Sequence, residues 1–146
     1  MGEHTDRGPD LAVEQHSVRS GSTSDGWFVT WRLTNLGEAP LTIHTSRLPH
    51  GRFRGPEKTF QPPLELAPNA SLTTELPVAC DYAGGSDVEN AFLILSVRLE
   101  EQAWLILARL RVSFGTQHTP LAETELVSAQ PVGFSARLDK NERART

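Results

Sequence analysis

Apolar and polar residues alternate at period two through most of this chain, and no stretch shows the 3.6-residue period of an amphipathic helix. The clearest case is Gly26 to Asn35. Trp27, Val29, Trp31 and Leu33 fall on one face, and Phe28, Thr30, Arg32 and Thr34 on the other, as in a strand with one face in a core. Asn35-Leu36-Gly37-Glu38 then reads as a tight turn with Gly37 able to take positive φ, and Leu41, Ile43 and Thr45 as a second strand paired antiparallel to the first. His44 falls on the polar face of that strand, with Thr42 and Ser46.

Pro49 to Pro63 has no period, and Pro62-Pro63 blocks ladder hydrogen bonds. Leu64 and Leu66 form a short strand, and Ala67-Pro68-Asn69-Ala70 turns the chain into Ser71 to Val78. There Leu72, Thr74, Leu76 and Val78 share a face, while Pro77 argues for a sheet edge. Asp81 to Asp87 is a loop with Gly84-Gly85 at its tip. A long hairpin follows, Val88 to Leu99 and Ala103 to Phe114, turning near Glu101-Gln102. Pairing Leu99 with Trp104 sets Val97 opposite Ile106, Leu95 opposite Ala108 and Leu93 opposite Leu110, all apolar. Leu11, Val13 and Gln15 make an opening strand. Glu125 to Ser128 and Gly133 to Leu138 add one or two late strands.

Short strands between turn signals predict an all-β fold, an immunoglobulin-like antiparallel β-sandwich of about seven to nine strands. Residues 11–138 form the single domain, residues 1–10 a disordered N-terminal tail and residues 139–146 a charged C-terminal tail. Val29-Thr30-Trp31-Arg32-Leu33-Thr34-Asn35-Leu36-Gly37 resembles the strand and Asn-x-Gly turn of bacterial immunoglobulin-like domains of the cell-adhesion-related (CARDB-like) type. Leu64-Glu65-Leu66-Ala67-Pro68-Asn69-Ala70-Ser71-Leu72 resembles a turn of the same domains, with Asn69 where glycine is usual; asparagine also tolerates left-handed geometry. The likeness covers about residues 26–114. It implies a spacer, adhesion or assembly module and carries no catalytic residues to transfer.

Composition narrows the function classes. With 14 Lys and Arg and a formal charge of −4, there is no basic field for phosphates, which speaks against nucleic-acid binding. The longest apolar run, Ala103 to Ala108, is too short to insert in a membrane, and Met1 to Asp10 shows no signal peptide, so a soluble, cytoplasmic protein is expected. Cys80, the one cysteine, has no partner for an internal disulfide and no neighbouring base in sequence to make it a nucleophile; a buried, inert thiol is the expectation. His4, His16, His44, His50 and His118 match no metal spacing, so surface histidines are expected, although His44, His50 and Cys80 would form a metal site if the fold united them. Asp81, Asp87 and Glu89 do not follow the EF-hand ligand pattern. No nucleophile elbow or phosphate loop occurs, so the expectation is no enzyme and no cofactor.

One surface stands out. The second face of the long hairpin carries Phe92, Ile94, Ser96 and Arg98 on one strand and Leu105, Leu107, Arg109, Arg111 and Ser113 on the other, about half apolar where a solvent face should be polar. Its cover is either the chain's own segment 120–138, with Leu121, Leu126, Val127, Val132 and Phe134, or another protein or a second copy, since apolar residues beside arginine suit an interface. The leading expectation is a non-catalytic protein-interaction or assembly module using that face. The alternative is a module binding carbohydrate or another small ligand through Trp27 and the loops Arg52 to Arg54 and Asp81 to Asp87.

Overall fold

Period-two alternation becomes backbone pairing in the computed structural model of the chain, which describes residues 8–82 and 85–132. The strands are β1 (Leu11–Ser20), β2 (Gly26–Asn35), β3 (Leu41–His50), β4 (Phe53–Leu66), β5 (Ser71–Cys80), β6 (Val88–Leu99), β7 (Gln102–Phe114) and β8 (Pro120–Pro131). A short 3-10 turn, Thr116–His118, precedes β8. Among the described residues no helix is long and apolar enough to cross a membrane.

The eight strands form one antiparallel sheet in the order β1-β2-β5-β4-β3-β6-β7-β8. It curls until β1 and β8 lie side by side, giving a nearly closed barrel instead of two clearly separate sheets. The curl is continuous but uneven. The β4–β5 ladder holds only two pairs, Phe53↔Cys80 and Arg54↔Ala79. The β1–β8 seam is bridged by side chains: Thr124 Oγ1 donates to the Val13 carbonyl at 2.6 Å, and the Gln15 amide bonds to the backbone of Pro120 and Ala122.

The inner faces fill the barrel. Val29, Trp31, Leu33, Ile43, Phe53, Leu93, Ile106 and Leu110 are all at most 1% exposed, so each has given up essentially its whole apolar surface. Trp31 meets Phe53 edge to face, with ring centroids 6.4 Å apart, a favoured arrangement of aromatic quadrupoles. Trp27 and Trp104 are half-buried and pack on the margins of this core. Gly8 lies so close over the Trp104 ring that a Cβ there would stand 2.6 Å from it, and the Trp104 backbone pairs with Pro131 in the β7–β8 ladder.

Four sequence expectations are corrected. β3 pairs with β4 and β6, not with β2. The connection between β2 and β3 is tied instead by the buried Asn35 side chain, whose Nδ2 donates to the carbonyls of Ala39 (2.9 Å) and Leu66 (3.0 Å) while its Oδ1 accepts from Gly37 N. Gly37 therefore closes the turn without positive φ; Asn69, at φ 64, does adopt the left-handed region. Second, a register shift between Ile43 and Thr45 reverses the alternation, so Ser46 is buried at 1% exposure and not on the polar face. Third, the β6–β7 hairpin turns on two residues, Glu100 and Glu101, with Leu99 opposite Gln102, Val97 opposite Trp104 and Leu95 opposite Ile106. The slip relative to the sequence reading is two residues, which preserves parity, so the same side chains still face inward. β4 also extends back through the Pro49 to Pro63 region that has no sequence period.

The late strand expected over residues 133–138, the cover residue Phe134, the tail 139–146 and residues 1–7 of the other tail lie outside the described residues.

Candidate functional site

The outer face of the hairpin is built by cross-strand pairs. Phe92 stands opposite Arg109, Ile94 opposite Leu107 and Arg98 opposite Ala103. Leu105, Leu107, Phe92 and Arg109 are half-buried; Arg98 and Arg111 are exposed; Ile94 is 9% exposed. β8 carries Leu121, Leu126 and Val127 of the expected cover, yet it adds to the edge of β7 and does not lie across this face. Leu126, paired with Arg109, extends the face with an exposed leucine of 52% accessibility.

The chain's own groups orient the arginines. Arg111 Nε is 3.1 Å from Asp87 Oδ2, and its Nη2 is 3.9 Å from Glu89. Arg109 Nε lies 3.6 Å from Glu125, and Arg98 donates to the Glu101 carbonyl at 3.2 Å. Solvent screens these surface pairs, so they contribute little to stability, and of the three arginines Arg109 stands directly across the ladder from Phe92.

A second location lies at one end of the barrel, where the short β4–β5 ladder sets Arg54 beside Ala79. Arg52 ties the two loops there: its Nη2 donates to the carbonyls of Asp81 (3.3 Å), Tyr82 (3.4 Å) and Ser86 (3.1 Å). Trp27, Arg54 and Asp81, three candidates far apart in sequence, thereby line one cleft of about 420 Å³ together with Tyr82 and His118. Tyr82 stacks on His118 at 3.7 Å and meets Phe114 edge to face at 5.3 Å. On the other side of Trp27 and Arg54 is a cleft of about 570 Å³ walled by Leu48, Pro49, Pro77 and Val78. His118, Leu48 and Pro77 carry no sequence signal for this place. They arrive through a strand pairing that alternation does not encode.

Cys80 borders the smaller cleft and is 7% exposed. Burial, reinforced by the Asp25 charge and opposed by Arg54, pushes its thiol up to about 12. It is therefore protonated at neutral pH and unsuited to nucleophilic work. Among the described residues, His44, His50 and Cys80 do not come together, and no group of three His, Cys, Asp or Glu side chains could hold a metal ion. No protein-family model and no curated protein matches this chain.

Proposed function

We propose that the chain is a non-catalytic protein-interaction or assembly module that binds another protein, or a second copy of itself, through the outer face of β6 and β7. The observation that carries this reading is a run of half-buried and exposed apolar residues, Phe92, Leu105, Leu107 and Leu126, edged by arginines and crossed by no described strand. Apolar surface bordered by arginine is the composition of a contact core with its rim. The two thin seams, at β4–β5 and β1–β8, divide three strands from five. That division supports an immunoglobulin-like origin for the barrel, with each seam as the junction of two former sheets.

Leu126→Asp and Leu107→Asp test the contact. Capture of the tagged chain from its native lysate, with light scattering of the purified protein, reads association. The expected result is a stoichiometric partner, or a dimer, that is lost in both variants while circular dichroism and melting stay close to the parent. Association equal to the parent's in both variants rejects the reading. Ile94 is a poor probe, because an aspartate at a site only 9% exposed would be buried among apolar neighbours and destabilise the fold.

A further inference from the structure

We propose that the 570 Å³ cleft between Trp27 and Pro77 binds a small amphiphilic anion, an apolar body bearing one carboxylate, sulfonate or phosphate group, with the charge on Arg54.

The cleft exists because β4 and β5 part after Arg54↔Ala79. Gly55 sits against β5 so closely that a Cβ would stand 2.4 Å from the Pro77 carbonyl oxygen. Beyond that point Pro56 and Pro77 have no amide hydrogens to extend the ladder, so the strands cannot zip over the opening. Leu48 and Val78, buried at 2% and 3%, form the floor, and half-buried Trp27 forms a wall. The volume falls within the roughly 300–1,000 Å³ of small-molecule sites, which combine apolar walls with a few polar groups that orient the ligand.

Arg54 is the charged group at this cleft. It is exposed, and Nη1 donates to the Gly51 carbonyl at 2.8 Å, which anchors one corner of the guanidinium. Arg19, Arg109 and Arg111 each face a carboxylate; among the described residues Arg54 forms no ion pair. A guanidinium with donors to spare beside a desolvated apolar wall selects an anionic head on an apolar body. A sugar would need several directed hydrogen-bond partners. The side-chain hydroxyls lining this cleft are those of Ser22 and Thr23, and Thr23 Oγ1 is already bonded to Asp25 at 3.1 Å, so the set is too small for that. Asp25 and Asp81 line the smaller cleft on the other side of Arg54, not this one.

The test uses two dyes of similar shape, 8-anilinonaphthalene-1-sulfonate, which is anionic, and N-phenyl-1-naphthylamine, which is neutral. The full chain should bind the sulfonate saturably, one per molecule, with quenching of tryptophan emission. Arg54→Ala, a change at an exposed position, should weaken sulfonate binding about ten-fold and leave the neutral dye within two-fold. Three results overturn the proposal: no saturable sulfonate binding, equal affinity in parent and variant, or equal loss for both dyes. None of them bears on the hairpin face, whose test reads association.

Discussion

The amide of Gln15 takes the place of a peptide group opposite Ala122: Ala122 N donates to Gln15 Oε1 at 2.7 Å, and Gln15 Nε2 donates to the neighbouring Pro120 carbonyl at 3.2 Å. A side chain thus completes the hydrogen bonding that two backbones leave unfinished where the barrel nearly closes. The register of β1 shifts between Gln15 and Ser17, the irregularity beside which this substitution occurs.

Gln15→Leu should therefore lower stability by about 1–2 kcal/mol, the cost of leaving a part-buried N–H and C=O without partners. Urea denaturation reads the loss. Amide hydrogen exchange should localise it, with Ala122 exchanging faster in the variant while the β2–β5 amides keep their protection.

Glu100 holds φ 55 in the two-residue turn of the β6–β7 hairpin, a conformation that disfavours residues with a Cβ. Glu100→Gly should raise stability by roughly 0.5 kcal/mol, the strain relieved slightly exceeding the added unfolded-state entropy, and Glu100→Val should lower it by about 1 kcal/mol. Thermal melts of the two variants should move in opposite directions from the parent.

The Cys80 thiol, ordinarily ionising near 9.0, is held protonated to about 12 in the folded chain. Between those values the folded state keeps a proton that the unfolded chain releases, so stability is intact below pH 9 and falls as pH rises above it. Cys80→Ala should flatten the alkaline limb of the stability profile relative to the parent. At pH 8 the native thiol should react with a disulfide reagent only as fast as the chain opens, because burial both shields the sulfur and holds it protonated. Rapid native labelling would contradict this burial.

Strand β2 is legible in the sequence because both its faces differ in polarity: Val29, Trp31 and Leu33 are at most 1% exposed, as alternation requires. Asn69 likewise signals its own left-handed turn. Ser46 is illegible for a local reason, since one extra residue in β3 inverts every later position and leaves no mark in composition. The partner of β3 is illegible for a different one. Two neighbouring strands read as a hairpin unless something redirects the chain, and here the redirecting group is one buried amide, Asn35, bonded to Leu66 thirty-one residues away.

The candidate site divides the same way. Phe92, Leu105 and Leu107 are legible as an apolar outer face, because parity survives the two-residue error in register. Trp27, Arg54 and Asp81 are recognisable one by one, but their meeting depends on Phe53 pairing with Cys80, a contact that no periodicity announces.

Gly8 lies against the Trp104 ring, and Pro131 is the backbone partner of Trp104 in the β7–β8 ladder. The chain thus enters and leaves the barrel at one point, and tension between its flanks would load the β1–β8 seam from a single end. The seam's bonds would then part in sequence, Thr124 to Val13 first and the Gln15 amide next, instead of resisting together in shear. Pulled from its flanks, this barrel would unzip at low force.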